Sequence, residues 1–129
     1  MAIDSLKPQK FLCASEEVPE GQYLEFRLSR NDLATIDEHL RPLDLIVTRH
    51  LGTLRAWLNV CPHQGRSLSL APGRFITDDQ NRLVCCVHGA VFEPDQGLCV
   101  QGPCANASLT SIRIAEREGQ VYVQPTLEN

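Results

Sequence analysis

Two short segments hold the residues best suited to chemistry. One is Cys61-Pro62-His63-Gln64-Gly65 and the other is Cys85-Cys86-Val87-His88-Gly89. Each supplies a thiol and an imidazole. Each follows an apolar run, Leu58 to Val60 and Leu83 to Val84, and Gly65 and Gly89 let the backbone turn sharply after each His. Two such loops facing each other would place two sulfurs and two nitrogens around one metal centre. Zinc would take all four ligands in one tetrahedron. A [2Fe–2S] cluster would take two Cys on one iron and two His on the other. Zinc fingers usually pair Cys with Cys and His with His, whereas these loops mix the types as C-x-H and C-x-x-H. If the loops approach from opposite sides, each can give its near ligand to one iron and its far ligand to the other. The mixed loops therefore suit a two-iron centre. Cys86-Val87-His88 repeats the C-x-H of the first loop, which leaves a second ligand register open.

The elements that would position these loops are mostly strands. Gln22 to Leu28 alternates Tyr23, Glu25 and Arg27 against Leu24, Phe26 and Leu28. Asp44 to Arg49 contains the buried-strand run Leu45-Ile46-Val47. Leu54 to Val60 alternates Leu54, Ala56, Leu58 and Val60 against Arg55, Trp57 and Asn59, and His50-Leu51-Gly52-Thr53 is a hairpin-length link. Trp57 is one residue out from the inward row, where it is expected to be partly buried. Three further hairpins follow: Phe75–Thr77 with Arg82–Cys85, Val91–Phe92 with Leu98–Val100, and Ser111–Ala115 with Gln120–Val123. One short helix is expected from Leu33, Ile36 and Leu40, with Asn31 as cap and Pro42 as stop. The fold class is all-β and mostly antiparallel.

Composition bounds the rest. The chain has 129 residues, one domain's worth, and is 43% hydrophobic and 22% charged, which excludes disorder. Net charge is −4 and the cationic residues are scattered, so nucleic-acid binding is not expected. Apolar runs are too short to span a membrane. Met1 to Lys10 has no signal-peptide core, so the expected compartment is the cytoplasm. Six Cys in such a compartment read as metal or redox chemistry before disulfides. Cys13 is expected in the core, and Cys99 and Cys104 are expected as reduced thiols, although they flank Gly102-Pro103 closely enough to bridge. His39 and His50 are the other histidines. With them alone, a mononuclear iron site of two His and a carboxylate has no constellation to build on.

Asn59-Val60-Cys61-Pro62-His63-Gln64-Gly65, then Cys85-x-x-His88-Gly89, then Phe92, Gly97 and Gly102-Pro103 resemble the Rieske [2Fe–2S] family. The likeness is strongest to the soluble Rieske-type ferredoxins and runs from about Asp44 to Val123. It implies stacked β-sheets in a single domain over 1–129, with a small cluster-binding part at about 58–105. It implies one [2Fe–2S] cluster, with Cys61 and Cys85 on the inner iron and His63 and His88 on the outer. It selects Cys85 over Cys86, and makes Gly102-Pro103 a third loop covering the cluster. Three departures stand out. Gln64 to Val84 is long at 21 residues, which reads as a longer hairpin around Asp78–Asn81. Arg66 stands where membrane-complex relatives have a disulfide Cys. Ala90 and Phe92 stand where they present Ser and Tyr hydroxyls to the cluster.

The function that the resemblance implies is one-electron transfer from a flavin-dependent reductase to a terminal Rieske-type oxygenase, with no catalytic residues in this chain. Two His ligands leave the oxidised centre neutral where four thiolates would leave a dianion, which raises its potential into a range of roughly −150 to +300 mV. Without the two hydroxyls, the lower part of that range is expected. The alternatives are a Rieske-fold accessory or redox-sensing subunit and, further off, a zinc-binding interaction domain.

Overall fold

Antiparallel strands make up nearly all the regular structure of the computed structural model, which describes residues 10–28, 43–62, 66–85 and 89–127. In chain order they are β1 (Lys10–Ala14), β2 (Tyr23–Leu28), β3 (Leu43–His50), β4 (Thr53–Leu58), β5 (Ile76–Thr77), β6 (Leu83–Val84), β7 (Val91–Phe92), β8 (Cys99–Gln101), β9 (Ile112–Arg117) and β10 (Gln120–Leu127). They form three sheets, ordered β1-β10-β9, β2-β3-β4 and β5-β6-β7-β8. The hairpins expected from the sequence are all present. β1 and a 3-10 turn at Ser15–Glu17 are additional. The expected helix, from Asn31 to Pro42, and His39 lie outside the described residues.

The β2-β3-β4 sheet is the middle layer, because both of its faces are apolar where it matters. Leu45 and Val47 of β3 pair with Leu58 and Ala56 of β4. These four pack with Leu28, Ile112, Val121 and Val123 on the β1-β10-β9 side. Ile46 and Trp57, partners across the same strand pair, join Tyr23, Leu68, Leu83 and Phe92 on the other side. Side chains of a strand alternate between faces, so each strand feeds two cores. Full burial of a side chain such as Leu45 or Phe92 stabilises by ~1.5–3 kcal/mol, and each core ties the middle layer to one outer sheet.

This arrangement corrects one expectation. Trp57 of β4 and Asn59 just beyond its end fall on the row opposite the inward residues, yet they are only 2% and 5% exposed. The β5-β6-β7-β8 sheet covers that face. Gly97 has φ +72°, and a Cβ there would lie 2.7 Å from Trp57 Nε1, so the indole packs directly on the glycine backbone.

Side chains pin the tight links. Glu20 accepts the amides of Leu51 and Gly52 at 2.6 and 2.9 Å, closing the β3–β4 turn, where both residues have positive φ. Arg49 donates to Val18 O at 2.8 Å and pairs with Glu116 at 2.9 Å, joining the two larger sheets. Pro125 lacks a backbone donor and falls in the register break between Val123 and Leu127.

Candidate metal centre

Both candidate loops leave a strand and close in the same way. After β4, the Cys61 amide donates to Arg66 O at 2.6 Å. After β6, the Cys85 amide donates to Ala90 O at 2.8 Å, and Gly89 N returns to Cys85 O at 3.0 Å. Each Cys thus closes a ring to the residue five positions on. Gly89 has φ +71°, a backbone conformation that favours glycine, and among the described residues nothing lies within 4 Å of where a Cβ would stand.

Cys61 and Cys85 are 3% and 2% exposed and lie in one apolar cluster with Trp57, Phe92 and Ala90. Their neighbours Pro62, Arg66 and Gly89 are exposed. The structure therefore places both predicted thiols in the same buried cluster, with the loop edges at the surface. His63, Cys86 and His88 lie outside the described residues. Among the described residues no three ligand-type side chains converge on a metal position. The donor set suits a cationic inorganic centre, since two thiolates buried among apolar groups need compensating positive charge.

The third predicted loop reaches both others. Gly102, at φ +104°, approaches Ala90 so closely that a Cβ would lie 2.8 Å from Ala90 Cα. Pro103 is exposed beside it, while Cys104 turns inward. The Cys104 thiol donates to Cys99 Sγ at 3.0 Å and also interacts with Cys61. Burial, then the Cys99 contact, pushes the Cys104 thiol up to about 12.

Sequence reasoning missed the residues that hold the first loop. Asn59 Oδ1 accepts the Leu68 amide at 2.7 Å, and its Nδ2 donates to Glu25 Oε2 at 3.1 Å and Ser69 Oγ at 3.2 Å. Glu25 Oε1 accepts the Gly73 amide at 2.6 Å. One strand residue and one end-of-strand amide thereby anchor the chain that follows Arg66. This also accounts for the long stretch to Val84. The Asp78–Asn81 hairpin is tight, and the extra residues run as a loop with its own turn, in which Leu70 N donates to Arg74 O at 2.7 Å. The missed signal was a polar Asn and a Glu on strand rows that two packed layers cover. Tyr23 holds the hairpin itself, donating to Asn81 O at 2.8 Å, and burial raises its phenol to about 12.

A family profile described as "Rieske [2Fe-2S] domain" matches residues 9–123. Carnitine monooxygenase oxygenase subunits are similar in sequence. That of Acinetobacter pittii (strain PHEA-2) is 25% identical over 135 residues, covering 90% of this chain and 35% of that protein. That of Acinetobacter baumannii is 24% identical with the same coverage. The chain spans about a third of the length of these curated relatives. Among solved structures, a chain from a complex of reduced oxygenase and oxidised ferredoxin in carbazole 1,9a-dioxygenase aligns at TM-score 0.65 and 23% identity. The alignment covers 94% of this chain and 96% of that one. The terminal oxygenase of carbazole 1,9a-dioxygenase from Novosphingobium sp. KA1 aligns at TM-score 0.68 and 18% identity, covering 95% of this chain and 30% of that one.

Proposed function

The chain belongs to the Rieske [2Fe–2S] domain family, whose domain binds one [2Fe–2S] cluster, and on that premise we propose that it is a one-electron carrier of the cytoplasm. It takes electrons from a flavin-dependent reductase and delivers them to an oxygenase of Rieske type. In this reading Cys61 and Cys85 ligate the inner iron and His63 and His88 the outer one. The observation that carries it is the burial of Cys61 and Cys85 in one apolar cluster, each closing its loop to the fifth residue on. The cluster, when bound, supplies a reversible one-electron couple. The chain's residues bury the two thiols, exclude water from them, and leave the loop edges at Pro62 and Gly89 exposed to a partner. The matched chain of similar length in an oxygenase–ferredoxin complex supports the carrier role. In the described residues no helix is long and apolar enough to cross a membrane.

The test is reconstitution. The purified chain should contain two irons and two labile sulfides, show the spectrum of a His-ligated centre, and support turnover when added to a reductase and an oxygenase. Cys85→Ser should lose the cluster and Cys86→Ser should keep it. The reverse pattern would shift the ligand register by one residue, and a colourless zinc protein would sink the reading. A second reading has its own observation: the similar curated proteins are oxygenase subunits. There the same domain would receive electrons for a catalytic domain. A loaded chain reduced by the reductase but unable to support a separate oxygenase would favour it.

A further inference from the structure

Cys99 begins β8, and Cys104 follows Gly102-Pro103. The backbone between them is fixed from both sides. Cys99 N donates to Ala107 O at 2.7 Å, Asn106 N donates to Cys99 O at 2.9 Å, and Ala107 N donates to Cys104 O at 2.9 Å. Leu98 and Ser108 bridge at the base of the loop. This frame brings the two sulfurs to 3.0 Å as free thiols. A disulfide needs about 2.05 Å, so closure asks the two sulfurs to approach by roughly 1 Å. Cys13 lies in the other core, away from this pair.

We propose that Cys99 and Cys104 form a redox site besides the proposed cluster, a dithiol that hydrogen peroxide oxidises to a disulfide clasping the third loop beside Cys61. Access favours a small oxidant. Cys104 is 8% exposed and Cys99 1%, under a loop whose Gly102, Pro103, Ala105 and Asn106 are exposed. In the first step the Cys104 sulfur attacks the peroxide O–O bond, which breaks to give a sulfenic acid and water. In the second the Cys99 sulfur attacks the sulfenyl sulfur, the S–S bond forms, and a second water leaves. Two thiols and one hydrogen peroxide thus become one disulfide and two waters. The sulfur pair loses two electrons and the peroxide gains them. Buried thiols react slowly in the first step, and adjacency makes the second fast, so the disulfide and not the sulfenic acid accumulates.

The formation of the bridge does not depend on a cluster. The experiment uses the full chain with its iron and sulfide measured in the same sample. Hydrogen peroxide is added in small molar excess, the protein is alkylated under denaturing conditions, and its mass and peptide fragments are read. The expected result is loss of alkylation at Cys99 and Cys104 together, with a mass lower by two hydrogens and full recovery after dithiothreitol. Cys99→Ser and Cys104→Ser should each abolish that loss, and Cys13→Ser should preserve it. Cys99 and Cys104 remaining fully alkylatable in the native chain, or a bridge from either to another Cys, would overturn the proposal. A chain that forms the bridge but holds no iron would leave it standing and defeat the carrier reading instead.

Discussion

The side-chain carbonyl of Asn59 accepts the backbone amide of Leu68 at 2.7 Å, and both residues are buried. Two residues after Asn59 the chain becomes Cys61, and two residues before Leu68 it passes Arg66, whose carbonyl takes the Cys61 amide. The mouth of the first loop is therefore tied twice. Asn59→Leu keeps the side chain's size but strips the Leu68 amide of its partner and takes a donor from Glu25. An unsatisfied buried amide costs about 1–3 kcal/mol. Urea unfolding should show a loss in that range, together with poorer retention of iron. A loss within about 0.5 kcal/mol, the scale of ordinary surface substitutions, would show that the tie is dispensable.

Gly97 and Gly119 offer a matched pair. Both have positive φ, +72° and +77°, but only Gly97 has something in the way: Trp57 Nε1 at 2.7 Å from an added Cβ. Alanine in the left-handed region costs about 1–2 kcal/mol at either position. Gly97→Ala must also displace the indole from a close-packed core, worth about 1–3 kcal/mol more. Denaturant midpoints should rank Gly97→Ala well below Gly119→Ala. Equal midpoints would mean that the Trp57 ring moves aside without strain.

Much of this architecture was legible in the chain because alternation of apolar residues survives in single strands. Leu45-Ile46-Val47 announced a strand with both faces buried, and the Gly and Asn residues of the turns at Leu51-Gly52 and Asp78–Asn81 announced hairpins. Trp57 and Asn59 were harder. Period two says which residues share a face, but not whether a second layer covers the other face, and here one does. β1 is not legible in the sequence, because Lys10–Ala14 is short and lacks clear alternation and its strand state depends on pairing with β10. At the candidate site, residue types and spacing single out Cys61 and Cys85 because thiol chemistry is local, and the fold adds that both are buried in one cluster. Glu25 was not legible, because its partner Gly73 is 48 residues away and only the fold brings them together.

Asp78 makes a pH prediction with a definite sign. Its carboxylate accepts the amides of Gln80 and Arg82 at 3.0 and 2.8 Å and the Arg82 guanidinium at 2.7 Å. The Arg82 amide is the largest influence holding its pKa below the usual Asp value. An unfolded Asp titrates near ~3.9. A group depressed in the folded state stabilises it fully above that pH, and the contribution drains away as pH falls through the folded value. Asp78→Asn removes this titration. Its stability should fall less steeply than that of the native chain below about pH 4, as read by urea midpoints across the acid range. Parallel curves would contradict the assignment.

Ala90 and Phe92 lead to the last prediction, which rests on the proposed ligands. The Ala90 carbonyl takes the Cys85 amide, so residue 90 closes the second loop. Phe92 stands across from Leu83 and Cys99 and is 1% exposed in the cluster that holds both candidate thiols. A hydroxyl at either position would add a donor beside a group that gains one negative charge on reduction. Donors aimed at sulfur stabilise the more negative state more strongly, so the potential should rise. A charge-assisted hydrogen bond is worth ~1.5–3 kcal/mol when fully formed. Only the difference between the two redox states counts, which suggests on the order of 1 kcal/mol, or roughly 40 mV, for each hydroxyl. Ala90→Ser combined with Phe92→Tyr should therefore shift the midpoint furthest upward and slow reduction by a low-potential reductase. Voltammetry of the fully loaded double variant decides the matter: an unchanged or lower potential would mean that these two positions face away from the cluster.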